Sequence, residues 1–469
     1  MSGIRNLLNI AKTALFASQA SVNVASQNVA NVNTEGYRKQ EAQLVTRTGV
    51  KTLRYVLGDG VDVQQIRQRQ TKFADQRVYK ENTRLSHWQN RTRMLEQIEA
   101  LFTGVGESDL NAKITSFFNA WEDLSNDPAS MEFRTEVEQA ANSLTAKFHD
   151  LDTGFNEIRE NLNAEISGKV REVNVILHKM HDLNTKISGL EYSGQMANDL
   201  RDERSRLVRD LSGYMDITLK DRAFGQIEVS YKGMTLLNKD DVFELSTKTV
   251  SQSDRKNTDI YVHDSKIEVD SGEIGALYAV HKNMLDPYQD TVDTLAKGIV
   301  TQVNNNHQIG FDLYGNLGSY FFEPGKITAG SIKLSDNISN DLRKIAAAAG
   351  THDWTAGTHV SNGVGDNSIA LQIADLQNVR VMKNNTTTYE GVYNGLYAEV
   401  GFDTDEAKNN QNNYQLLVDQ LDNYRESIVG VSMDEEMADI LKYQNSYNAA
   451  AKLVTAADDM FGTLINMIR

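Results

Sequence analysis

An apolar seam runs through the first thirty residues of this 469-residue chain and returns at its far end. It reads Ile4, Leu8, Ala11, Leu15, Ser18, Val22, Ala25, Val29 and Val32. The steps alternate between four and three, the a/d spacing of a coiled-coil helix. The seam stops in the stretch Ala30-Asn31-Val32-Asn33-Thr34-Glu35-Gly36-Tyr37. Gly36 suits the left-handed position that follows a helix end, where a Cβ is strained. In a Schellman arrangement Tyr37 and Val32 make the accompanying apolar contact. Ala30, Asn31, Asn33, Thr34, Gly36 and Tyr37 are therefore the predicted turn residues.

At the other end, Ser432 and Glu435 are spaced as a capping box, each serving a free N–H of the first turn. The seam that follows is Met433, Met437, Ile440, Gln444, Tyr447, Ala451, Val454, Asp458, Phe461, Ile465 and Ile468. Polar residues at Gln444 and Asp458 cost stability but set register. Neither segment has a face broad enough to fold alone. One reading pairs them as an antiparallel hairpin and nothing more; the other also packs them against copies of themselves. The charged side chains before Glu35 are Arg5 and Lys12 alone. A helix roughly 45 Å long at ~1.5 Å per residue with so little charge is poorly solvated as an isolated hairpin, which favours the second reading. A membrane-surface helix is a poorer fit. It wants a Lys/Arg-rich face and aromatic anchors, and Phe16 is the one aromatic before Tyr37.

The run ANVNTEGYRKQ, behind a Ser/Asn/Ala-rich amphipathic helix, resembles the N-terminal signature of the bacterial flagellar axial proteins: rod, hook and hook-associated proteins. The C-terminal VSMDEEMADILKYQNSYNAAAKLVTAADDMFGTLINMIR is similar to the hook-associated branch. Glu435-Glu436, Gln444 with Tyr447, and DDMFGTLINM are its discriminating parts, and the family usually has Arg where this chain has Lys39. The resemblance implies a structural, non-enzymatic component that joins hook to filament. It implies partners: copies of itself in a helical array, hook protein below, another hook-associated protein or flagellin above, and an export chaperone on the C-terminal helix. It also implies an extracellular place in the flagellum, reached by unfolded type III export without a cleaved signal peptide. The rivals are a hook or rod subunit and, in a different class, a secreted helical adhesin or effector. The C-terminal seam speaks against the first and the terminal signature against the second.

A net charge of −16 provides no basic field for nucleic acid. The absence of cysteine excludes disulfides and thiolate chemistry. No apolar run approaches the ~18 residues of a membrane span, so membrane insertion is not expected, and the N-terminus has no basic-then-apolar signal layout.

Between the ends, residues 40–63 read as irregular or weakly β, and Gln64 to Phe102 as helix, closed by Gly104 and Gly106. A short helix carries Leu110, Ile114, Phe117, Trp121 and Leu124. Asp127-Pro128 reads as the N-cap and first residue of the longest helix, with its stripe running from Phe133 to Ile187. A charge-dense helix spans Met196 to Leu211. From Gly213 the period falls to two, predicting short antiparallel strands. Helix returns at Gly272, with Pro287 as a kink or break, then at Asn367–Met382 and from about Tyr389 to Tyr424. The expected fold is mainly α with a small β part: an elongated rod of nested domains. These are a terminal coiled coil (1–40 and 428–469), a helical bundle (41–213 and 272–427) and an antiparallel β unit (214–271).

Motifs for chemistry fail on spacing. His178 and His181 lack a third ligand at a suitable position. Asp403 and Asp405 lack the Gly and Glu of a calcium loop. His307 suits a helix end, and no phosphate loop or nucleophile elbow follows a strand. No catalytic residue, metal or cofactor is expected.

Overall fold

The computed structural model describes residues 2–34, 36–51, 56–102, 109–252, 255–353, 355 and 357–468. Helix α1 (Ser2–Ala30) leads into β1 (Gln40–Thr46), the short strands β2 (Val50–Lys51) and β3 (Val56–Leu57), and β4 (Val61–Gln68). β1 and β4 pair antiparallel from Gln40↔Gln68 to Thr46↔Val61, with a bulge at Gln43/Leu44. This hairpin lies along α1: Asn6 Nδ2 donates to Gly58 O (3.2 Å) and Val61 N to Thr13 Oγ1 (3.4 Å). Residues 64–68 are thus strand rather than the opening of a helix, because β1 supplies their ladder partners. Helix α2 (Lys72–Phe102) begins only where Asp75 N finds the Thr71 carbonyl (2.9 Å). Gly104 and Gly106 lie outside the described residues.

α3 (Leu110–Asn126) precedes α4 (Met131–Tyr192), the spine of the molecule. Its 62 residues make a rod about 90 Å long at ~1.5 Å per residue. The cap of α4 is Ser130, whose hydroxyl accepts from Glu132 N (3.2 Å), and not Asp127. The reason is Arg134, almost wholly buried. Its guanidinium needs acceptors, and the Pro128 carbonyl, outside the helix, takes Nε (3.0 Å) and one terminal nitrogen (2.6 Å). The Leu342 and Ile345 carbonyls take the other.

α5 (Asn198–Tyr214) turns back along α4, and two three-stranded antiparallel sheets follow. The first is β5 (Thr218–Asp221), β6 (Ile227–Tyr231) and β7 (Met234–Leu237). The second is β8 (Leu245–Gln252), β9 (Arg255–Val262) and β10 (Ser265–Ile267). Three asparagines on α4, each about three turns from the next, fasten them. Asn184 exchanges two hydrogen bonds with the Ile227 backbone (2.8 and 3.2 Å) and Asn174 two with that of Leu245 (2.8 and 2.9 Å); Asn163 donates to Lys256 O (2.7 Å). A side-chain amide presents the same donor–acceptor pair as a peptide, so it ends a sheet edge that would otherwise be bare.

α6 (Gly272–Val280) and α7 (Asp286–Gln308) are joined through a π-turn at His281–Leu285, with Pro287 at the start of α7. The extra residue per turn absorbs the ring's clash and missing N–H without breaking the axis. The segment after α7 is mostly irregular, with α8 (Asp336–Asn340) and the hairpin of β11 (Gly350–Asp353) and β12 (Thr358–Ser361). Its apolar side is pinned under the bundle: Phe117, Trp121, Phe321 and Phe322 stack with ring centres 4.9–6.4 Å apart. α9 (Ser368–Asp375) ends earlier than its seam suggests, and the turn at Lys383, Asn384 and Asn385 holds three successive left-handed residues. α10 (Tyr389–Val429) packs along α2, and α11 (Met433–Ile468) returns to α1. The fold is mainly helical with small antiparallel sheets and paired terminal helices. One apolar core runs from Met94 through Ala407, along most of the bundle.

Candidate assembly site at the paired termini

Asn28, near the end of α1, meets Glu436 in the first turn of α11, so the two helices run antiparallel. On α1 the buried positions are Ala11, Ala17, Ser18, Ser21, Val24, Ala25 and Asn28. On α11 they are Glu436, Ala450 and Ala457, flanked by half-buried Ile440, Tyr443, Val454 and Phe461. Each helix therefore keeps most of one column of the seam read from sequence (Ala11, Ser18, Ala25; Ile440, Val454, Phe461), although Tyr447 of that column is 42% exposed. The other column is displaced by one residue toward the N-terminus. Leu8 is exposed; Ile4, Leu15, Val22 and Val29 are half-buried. Met437 and Tyr447 are exposed, and Ile465 is 60% exposed. The side chain of Ile468 lies outside the described residues.

Small residues explain the choice. Alanine and serine at the contact let two helix axes approach closely, and a column of Leu and Met would hold them apart. The larger side chains turn outward instead: Phe16 (59% exposed), Leu441 (59%), Leu453, Met460 and Met467 (79%) join the displaced column.

The turn after α1 is tighter than a Schellman cap at Gly36. The helix ends at Ala30, and a separate turn follows, with Thr34 N on the Asn31 carbonyl (2.9 Å) and Tyr37 N on the Thr34 carbonyl (3.1 Å). Asn31 Nδ2 caps the Gln27 carbonyl (2.9 Å), and Thr34 Oγ1 donates to Asn31 Oδ1 (3.2 Å). Val32 is thus not the third residue from a cap at Gly36. Gly36 has φ +78° within this second turn, while Asn33 is exposed. At α11, the Ser432 carbonyl accepts the first helical bond from Glu436 N (3.0 Å), and the Glu435 carboxylate reaches Lys39 Nζ (3.4 Å).

Beneath the helix pair lies a buried polar hub. Asn28 Nδ2 donates to Gln40 O (2.9 Å) and to Glu436 Oε2 (2.9 Å). Its Oδ1 accepts from Gln40 N (3.0 Å) and from the Tyr37 hydroxyl (2.9 Å). Lys39 Nζ sits 2.6 Å from Glu436 Oε1, both side chains buried. Burial alone would lower the lysine's pKa, but the Glu436 carboxylate outweighs it and the net direction is up. Next to it, Arg38 is shared between Asp75 (3.1 Å) and Asp202 (3.7 Å). One guanidinium serves two buried carboxylates. Burial raises both, Asp202 to about 7, against the pull of Arg38. Gln68, Gln40 and Asn198 complete the network to α5 and β4. Asn28, Arg38 and Glu436 were not among the predicted site residues. The available signal was Arg38-Lys39 standing directly after a nearly uncharged helix, since a lone charge pair there needs buried partners.

Two of the histidines singled out in the sequence have other partners. Exposed His178 contacts Glu244 (2.7 Å). His307 is fully buried between the Ser319 carbonyl (2.6 Å) and Ala346 N (2.8 Å), and burial holds its pKa down to about 4. Among the described residues no three His, Cys, Asp or Glu side chains gather as a metal site, and no helix is long and apolar enough to cross a membrane.

Comparison with known proteins follows the same division between ends and middle. Residues 8–38 match the family described as flagella basal body rod protein, and residues 426–467 the flagellar basal body rod FlgEFG protein C-terminal family. Those two matches cover most of the paired helices and, in the hub, Asn28, Tyr37, Arg38 and Glu436, so the ends of the chain are similar to those of flagellar axial proteins. Residues 95–322 match the flagellar hook-associated protein FlgK helical domain. The flagellar hook-associated protein 1 of Bacillus subtilis is 26% identical, over 98% of this chain and 97% of its own length. That of Salmonella typhimurium is 23% identical, over 98% and 100%. The solved structure of the flagellar hook junction protein FlgK from Burkholderia pseudomallei shares the fold, with a TM-score of 0.66 at 15% identity, covering 76% of this chain and all of that one. Within the axial proteins, the similarity that spans nearly the whole chain is to flagellar hook-associated protein 1.

Proposed function

We propose that this protein is a non-enzymatic structural component of the flagellum that joins hook to filament by self-assembly through its terminal helices. The observation that carries the reading is the orientation of α1 and α11. The intramolecular contact is centred on small residues, and many large apolar ones face outward, among them Phe16, Met437, Leu441, Met460, Ile465 and Met467. Such a face is unfavourable for a solitary subunit and suited to side-by-side copies, and a heterologous contact of this kind repeats helically rather than closing. Hook protein below and another hook-associated protein or flagellin above are the partners at either end of that array. Export proceeds unfolded and without a cleaved signal, and a chaperone covers α11 until assembly. The hub couples the terminal pair to the bundle, which forms the next layer outward, with the β unit fastened to α4.

Two measurements test this. Cells lacking the gene should carry hooks without filaments and lose flagellin to the medium; normal filaments would refute the junction role. In vitro, Leu441→Glu with Ile465→Glu should abolish self-association while leaving the circular dichroism melt of the monomer unchanged. Undiminished association by that variant would move the contact elsewhere.

A further inference from the structure

A cleft of about 630 Å³ lies far from the termini, between the β8–β10 sheet and the helices α4 and α6 with the π-turn. That volume is in the range of small-molecule sites. Its walls carry an unusual set of unsatisfied atoms. His87 Nδ1, Asn163 Oδ1, Asn257 Oδ1 and His281 Nε2 are buried without a hydrogen-bond partner. Two of these are fixed as acceptors by what the rest of the side chain does. The Asn163 amide nitrogen already donates to the Lys256 carbonyl (2.7 Å). His281 Nδ1 lies 4.0 Å from Asp286 Oδ2, beyond hydrogen-bonding distance. The His87 ring bonds the Gly272 backbone, leaving Nδ1. Burial keeps both rings neutral by lowering their pKa values.

The π-turn adds to this. Asp286 N–H goes to the His281 carbonyl, and Pro287 has no N–H, so the Lys282 carbonyl lacks its usual helical donor. A buried acceptor without a donor costs roughly 1–3 kcal/mol, and here several face one cavity. Asp259, Glu268, Asp270 and Asp286 line it against Lys266 and Lys282. Asp286 is held by Arg159 (2.7 Å) and Arg255 (3.6 Å), so selectivity rests on the unpaired acceptors more than on net charge.

We propose that this cleft binds a cationic group rich in hydrogen-bond donors, an ammonium or a guanidinium. A modest rotation of each ring or amide turns its acceptor to the ligand. A metal ion is a poorer fit, because no three metal-ligating side chains gather among the described residues. The same chemistry is carried by a free small amine and by a lysine or arginine side chain of another copy.

The test is calorimetric titration of the full chain with agmatine, which carries one group of each kind, with zinc chloride and sodium phosphate titrated in parallel. Agmatine should bind saturably with a Kd on the order of a millimolar. Asn163→Ala should weaken it about tenfold. Lys282→Glu, at an exposed rim residue that does not endanger folding, should strengthen it about threefold. If agmatine also slows self-assembly of the full chain, the occupant is a basic side chain of a neighbouring copy; if assembly is untouched, it is a free amine. Absence of saturable binding, indifference to both substitutions, or zinc binding that displaces agmatine would overturn the proposal.

Discussion

Replacing Asn28 by Ala should detach the terminal pair from the body of the molecule without unfolding the bundle. The side chain makes four hydrogen bonds of 2.9–3.0 Å, to both backbone groups of Gln40, to the Tyr37 hydroxyl and to the Glu436 carboxylate. Three are neutral and contribute about 1 kcal/mol each; the bond to the carboxylate contributes about 2. Alanine's better helix propensity offsets roughly 0.7 kcal/mol, and water entering the vacated space recovers part of the rest. A net local loss of about 3–4 kcal/mol corresponds to a rise of roughly 10²- to 10³-fold in the opening constant. Native-state hydrogen exchange reads this directly. Amides of Gln40 and of the first turns of α11 should lose protection by that factor, while those of α3 and α4 keep theirs. A change below tenfold at Gln40, or an equal loss in α4, would refute the idea that this asparagine ties the ends to the bundle.

Gly36→Val places a β-branched residue at φ +78°, which costs about 2 kcal/mol. The Cβ itself meets no neighbour, so assembly and protease resistance of the ends should suffer while the bundle melts normally; normal filaments would show that the turn tolerates strain. Buried neutral His307 makes the bundle acid-sensitive. Its folded pKa near 4 lies below the ordinary 6.5, so the unfolded chain binds more protons between those values and stability falls as pH drops through that window. The loss approaches about 3.5 kcal/mol, at about 1.4 kcal/mol per pH unit, and His307→Gln should flatten the stability–pH curve. Asn184→Leu removes two bonds to Ile227 and the acceptor of Arg204 (2.7 Å). It should destabilise by roughly 3 kcal/mol, seen as a lowered melt and faster exchange in β6; an unchanged melt would mean that the sheet holds α4 by apolar contact alone.

Much of the helical framework was open to reading because its signals are local. The stripes of α3 and α4, the change of period after Gly213 and the return of helix near Gly272 are each legible within a short window of consecutive residues. The misreadings arose where a distant group took a local one. Gln64 to Gln68 joined β1 as strand, and Asp127 lost the capping position to Ser130 because the Pro128 carbonyl serves Arg134. At the termini the four-three rhythm marked both helices as coiled-coil partners, and the run ending at Tyr37-Arg38-Lys39 marked the family.

The sequence by itself determined that the two ends are amphipathic helices of a flagellar axial kind, because periodicity and signature are properties of a short stretch of chain. Which flank of each seam faces inward was decided only by tertiary structure. Two adjacent columns are nearly equivalent in spacing, and the choice between them depends on how closely the partner's backbone approaches. The same holds for Asn28, Arg38 and Glu436. A polar residue in a helix reads as solvent-facing until the fold buries it, and only then do the groups around it make it a hub.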